Sequence, residues 1–155
     1  MKTNPFDMKT SLLAGTALVL SLSGAVSQAG EVEKAVEYRQ GAMEVFSWNM
    51  KGMGDMMKGE KPYDAARLAV MAKDLESATQ LDLLSGFPTD SEWSESDALP
   101  EIWMDFDDFK SKYQDLREAA KALNAAVAGG DKAAIGAALK DTGGSCKACH
   151  KKYKN

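Results

Sequence analysis

From Glu31 to about Lys58, apolar side chains recur at three- and four-residue steps: Val32, Ala35, Val36, Met43, Phe46, Met50, Met53 and Met57. That is the period of one buried face of an α-helix. Half of these positions are methionine, a flexible core filler. Gly52 and Gly54 weaken the helix toward its end. Gly59-Glu60-Lys61-Pro62 then reads as a turn, with Pro62 suited to the first turn of the next helix. A second helix is predicted from Tyr63 to about Thr79, with Ala66, Leu68, Ala69, Ala72 and Leu75 inside and Leu81 to Leu84 as an extension. A third runs from Pro100-Glu101 to about Ala128 and buries Ile102, Phe106, Phe109, Tyr113, Leu116, Ala120, Leu123 and Val127. Gly129-Gly130-Asp131 closes it and caps a fourth, which runs from Asp131 to about Tyr153 with Ile135, Ala138 and Leu139 inside. No alternating strand pattern and no internal repeat interrupts this series. The expectation is an all-α protein, an antiparallel up-down-up-down four-helix bundle. Its longest connection is the irregular stretch from Gly86 to Pro100, and a connection of that length often has a task, such as covering the edge of a cofactor.

The first 29 residues do not share this pattern. Lys2 and Lys9 give a positive start, and Ser11 to Val26 is an uncharged, mostly apolar run. Ser27-Gln28-Ala29 then supplies the small residues of a cleavage site. That is the layout of a secretory signal peptide, with an uncleaved anchor as the alternative. Met8 is a second candidate start. The expected division is therefore residues 1–29 for export and 30–155 for one bundle domain. Export would place the domain in the periplasm, with no stable membrane insertion once the segment is cleaved.

Near the other end the pattern meets its chemistry. Cys146-Lys147-Ala148-Cys149-His150 is the attachment signature of c-type haem. Two thiols at this spacing match the two vinyl groups of the porphyrin, and the histidine that follows can bind iron. The chain has two cysteines and one histidine, and all three fall in this window. Other uses of Cys-x-x-Cys fit less well. A redox dithiol is expected in a βαβ setting, structural zinc usually takes four Cys or His ligands, and a plain disulfide leaves His150 unexplained. Gly143 and Gly144 just before the motif either make room for a flat ring or kink the helix.

Charge narrows the partners. The chain has 19 basic and 23 acidic side chains, net −4. Removing residues 1–29 takes Lys2, Lys9 and Asp7, and leaves 17 against 22. Such a balance argues against nucleic acid and does not identify a redox partner. No nucleophile–base pair or carboxylate dyad stands out, so an enzyme is not expected. With a single histidine, bis-histidine ligation within one chain is excluded.

Several stretches together go further than the haem motif. Tyr38-Arg39-Gln40-Gly41-Ala42-Met43, Lys58-Gly59-Glu60-Lys61-Pro62-Tyr63-Asp64, Pro100-Glu101-Ile102-Trp103, and Cys146 to His150 with Tyr153 resemble the cytochrome c′ family over nearly the whole mature chain. That family is itself a standard instance of the up-down-up-down bundle. The resemblance implies a homodimer paired through the first two helices, with one covalent haem c per chain. It implies His150 as axial iron ligand, and possible binding of NO and CO. By position, Met43 matches the residue that shields the other face of the iron. Arg39 and Gln40 match residues near the haem propionates, with a surface ion pair as the alternative for Arg39. Phe87 reads as a haem-edge contact or as ordinary core, and Asp97 as a further contact. Lys154 stands where many members carry arginine. Met43 divides the functional readings. As an unbound cover it suits a cytochrome c′ in electron transfer or gas binding. As a sixth iron ligand it suits a low-spin electron carrier like the cytochromes c-556.

Overall fold

The computed structural model describes residues 22–92 and 96–155. Its helices are α1 (Leu22–Lys58), α2 (Ala65–Ala78), α3 (Glu101–Met104), α4 (Phe106–Gly129) and α5 (Lys132–Tyr153). The four long helices pack in a closed square, α1 on α2, α2 on α4, α4 on α5, and α5 back on α1. This is the expected antiparallel bundle. None of the described helices is long and apolar enough to cross a membrane. α1 begins at Leu22, ahead of the predicted Glu31, and so runs back into the stretch read as an export segment. The first 21 residues of that segment lie outside the described part of the chain.

The helix ends follow from local chemistry. Gly59, at φ 79°, closes α1. Its N–H donates to Met56 O at 3.3 Å, and the Glu60 N–H donates to Asp55 O at 2.9 Å. Only glycine enters this left-handed turn without a steric cost. Asp64 caps α2 by accepting from the Arg67 N–H, and Asp131 caps α5 by accepting from the Ala134 N–H at 2.7 Å. Pro62 therefore lies before the cap of α2 and not in its first turn, as the sequence had suggested.

The interior is built from the predicted stripes, with exceptions. Met53, Leu75, Ala120, Leu123 and Ile135 have no exposed surface. Met56 and Met71 are also buried, although the periodic reading had passed over both, whereas Ala66 and Ala69 face solvent. At alanine, periodicity carries little weight, because so small a side chain is tolerated on either face. Gly52 is buried where α1 meets α2, and a Cβ there would run into the end of the Met71 side chain. Glycine at this point leaves room for that side chain, at some cost in helix propensity.

Two predicted helical stretches are interrupted, and in both cases a side chain from another helix is involved. Leu81 to Leu84 does not prolong α2. The chain turns there into a 3-10 turn at Leu83–Gly86. The Tyr113 hydroxyl of α4 lies 2.9 Å from Thr79 O and 3.1 Å from Leu81 O, and so takes up carbonyls at the end of α2. The third predicted helix is broken at Asp105, at φ −137° and ψ 57°. Lys152 Nζ holds the Asp105 carboxylate at 2.8 Å, and the Tyr153 hydroxyl approaches the Asp105 carbonyl at 3.4 Å. The end of α5 thus fixes the step between α3 and α4.

At the base of α1 a buried carboxylate is held by two cations. Asp55 has Lys61 Nζ at 2.9 Å and Lys51 Nζ at 3.1 Å. Their hydrogen bonds, Lys61's first, hold its carboxyl down at about 2. An unfolded aspartate titrates near ~4, so this carboxylate's contribution is complete above that pH and is lost as pH falls toward the folded value. In urea unfolding, the gap in midpoint between wild type and Asp55→Asn should be constant above about pH 5 and close between roughly pH 4 and pH 2. A gap that persists unchanged to pH 2 would show that the two lysines do not stabilise the ionised form.

Candidate haem site

α5 carries the motif as one unbroken helix through Gly143 and Gly144. Cys146 and Cys149 lie one turn apart, half-buried, and pack against the bundle core. Neither forms a disulfide. Burial pushes both thiols up, Cys149 to about 11, so both are protonated at neutral pH. His150 is on the exposed side of the same turn. Partial burial, and then the charge of Lys154, lower the pKa of its imidazole and favour the neutral form that binds metal.

A porphyrin at this motif needs two free thiols one turn apart, an adjacent neutral imidazole and a stretch of helix free of bulk. The residues present meet each need. At Gly143 and Gly144 an added Cβ would find no atom within 4 Å. Among the described residues no group of three His, Cys, Asp or Glu side chains stands together.

The other candidate residues are distributed differently from one another. Met43 is half-buried, one turn after Arg39 on α1, and packs against the same core as Cys146 and Cys149. Gln40 is exposed. Phe87 is buried in an aromatic cluster, edge-on to Phe109 at 4.8 Å between centroids, and Phe109 in turn meets Tyr153 at 5.3 Å. Asp97 is exposed and pairs with Lys154 Nζ at 2.7 Å. Its backbone carbonyl accepts from the Asn155 N–H, and Leu99 N–H donates to Tyr153 O. The connection before α3 is thereby pinned to the end of α5, three residues past His150.

Arg39 is not at the surface. It is only 3 % exposed. Its guanidinium donates to Gly86 O at 3.0 Å, Ser91 Oγ at 2.9 Å and Ser96 Oγ at 2.8 Å. It also lies 4.7 Å from the centroid of the Phe87 ring and 5.7 Å from that of Trp103. Trp103 Nε1–H reaches Pro88 O at 3.0 Å. Sequence reading had missed Ser91 and Ser96 altogether. No periodicity marks a serine in a loop, and their partner is more than fifty residues away.

Fold and site define a class first: four-helix bundles with a haem-attachment motif on the C-terminal helix. A family profile described as Cytochrome C′ matches residues 34–154. The cytochrome c-556 of Agrobacterium fabrum is 37% identical over 132 residues, covering 85% of this chain and 86% of that protein. The solved cytochrome c prime from Shewanella frigidimarina is 37% identical at a TM-score of 0.77, over 80% of this chain and 96% of that one. A nitric oxide complex of a mutant cytochrome c prime from Alcaligenes xylosoxidans is 36% identical at a TM-score of 0.72, over 80% and 96%. The chain belongs to the cytochrome c′ family, a family of haem-binding proteins.

Replacing Arg39 by methionine keeps the stem and removes the charge. Gly86, Ser91 and Ser96 then lose a buried donor, and the folded state should lose about 2–4 kcal/mol. Limited proteolysis should cut the connection between residues 87 and 99 faster than in wild type. Unchanged stability and an unchanged cleavage pattern would show that Arg39 does not hold the connection.

Proposed function

We propose that this protein is a periplasmic cytochrome c′ that carries one haem c per chain, bound through Cys146 and Cys149, with His150 as axial ligand, and that it acts in electron transfer or the binding of NO and CO. The observation that carries the reading is the set of two free thiols one turn apart on α5, with an imidazole directly after the second. When bound, the haem supplies a redox-active iron that can also take a diatomic ligand. The protein's own part is to fix the thiols, present the imidazole and limit approach from the side of α1. The apolar run before residue 30 supports export, with residues 1–29 as a cleaved signal and 30–155 as the haem domain.

Acid–acetone extraction of the denatured holoprotein should leave the colour with the polypeptide, and Cys146→Ser with Cys149→Ser should release it to the solvent. Colour that leaves the wild-type chain would sink the covalent assignment.

Met43 is half-buried on α1 and α1 packs on α5, which supports its role at the distal face. Whether it covers or binds the iron separates the cytochrome c′ reading from the low-spin carrier. Arg39 and Gln40 remain candidates for the propionates, with Phe87 and Asp97 as candidate contacts near the haem edge. Met43→Ala should speed CO association in either case, and should turn a low-spin parent high-spin. A variant with the parent's spectrum and CO rate would make Met43 ordinary core.

The homodimer reading is supported by a groove of about 590 Å³ between α1 and α2, lined by Glu44, Val45, Trp48, Asn49, Asp74 and Ser77. Trp48 is 69 % exposed, with Val45 and Val70 also open. Sedimentation at micromolar concentration should show a dimer that Trp48→Glu dissociates; a monomeric wild type would refute this.

A further inference from the structure

The charge on this net-acidic chain is unevenly placed. After Asp141 there is no acidic side chain, yet Lys147, Lys151, Lys152 and Lys154 all stand in that stretch. Two of them are paired. Lys152 meets Asp105 and Asp108 at 2.8 and 2.9 Å, and Lys154 meets Asp97. Lys147 and Lys151 are exposed, as is Lys140 two turns earlier on α5. Among the described residues, no carboxylate lies within ion-pair distance of these three.

Their spacing, seven residues and then four, puts all three on one face of α5. Lys147 and Lys151 are thus like charges stacked one turn apart, an arrangement that destabilises a helix. The helix dipole favours cations only in the last turn, so it accounts for Lys151 and not for Lys140 or Lys147. Neither ion pairing nor the dipole explains this row. Its position is informative, because Lys147 lies between the two cysteines and Lys151 directly follows His150.

We infer that Lys140, Lys147 and Lys151 form the docking face for an acidic electron-transfer protein, one whose redox centre is ringed by carboxylates. This rests on the haem reading above. Complementary charge steers such a partner and orients it, and contact at these lysines brings its centre beside the attachment motif. A membrane surface is the weaker fit. Surface-bound helices insert apolar side chains beside their lysines, and the large exposed apolar residues described here are on other segments, among them Val45, Trp48 and Val70. Three cations on a net-acidic chain are also few for a nucleic acid.

The test is an NMR titration of the isotope-labelled holoprotein with an oxidised plant-type [2Fe–2S] ferredoxin as the acidic probe. Shifts should concentrate on the amides of Lys140, Lys147 and Lys151. Affinity should fall about tenfold or more between low and ~0.2 M salt, and by a similar factor in Lys147→Glu with Lys151→Glu. Lys58→Glu with Lys73→Glu makes the same change in net charge on other helices and should leave affinity nearly unchanged. Equal loss in both double variants would overturn the proposal in favour of net charge alone. Shifts centred elsewhere, or no salt dependence, would also overturn it. So would anionic phosphatidylglycerol vesicles binding through the same lysines where ferredoxin does not. Haem staining of each variant on a denaturing gel keeps the two readings apart: stained protein that fails to bind refutes only the docking face, and unstained wild type refutes the haem assignment itself.

Discussion

Arg39 sets the constraint on which the non-helical part of this bundle depends. A guanidinium almost out of contact with water costs free energy unless its donors are used. Here they are used on Gly86, Ser91 and Ser96, so that one side chain of α1 gathers the long connection. Burial lowers its pKa, yet a guanidinium keeps its charge at any physiological pH. Phe87 and Trp103 close over it, and Phe87 passes the contact to Phe109 and Tyr153. A chain of packed groups therefore runs from the first helix, through the connection, to the last turn of α5.

That chain of contacts bears on the haem motif. The end of α5 is held by Lys152 on Asp105 and Asp108, by the Tyr153 hydroxyl on Asp108 at 2.6 Å, and by backbone pairing of Ala98 with Lys154. His150 lies just before these anchors. A histidine near a frayed helix end would be free to turn away. Here the last turn is tied on two sides, while the imidazole itself stays at the surface. Lys154 serves as an anchor to Asp97 and as a nearby positive charge for His150.

Much of this was legible in the sequence, because the determinants are local or periodic. The stripe from Ile102 to Val127, the capping aspartate at 131 and the glycines at 59 and 130 each act within a few residues of their own position. The haem motif is local as well: its spacing on one helix places two thiols and an imidazole without help from the rest of the chain. The resemblance to the cytochrome c′ family rested on such short stretches, and the family match over residues 34–154 agrees with it.

What the sequence by itself determined is the four-helix pattern, the positions of most helix ends and the attachment motif. The tertiary structure alone decided that Leu81 to Leu84 does not prolong α2, where the third helix breaks, and what Arg39 holds. Tyr113 reaches Thr79 and Leu81, Lys152 reaches Asp105, and Arg39 reaches Ser91 and Ser96, each across more than thirty residues. Helical periodicity reports which face of a segment is apolar. It carries no record of which distant polar group will meet that face once the helices have packed, and in this protein those meetings shape the connection beside the site.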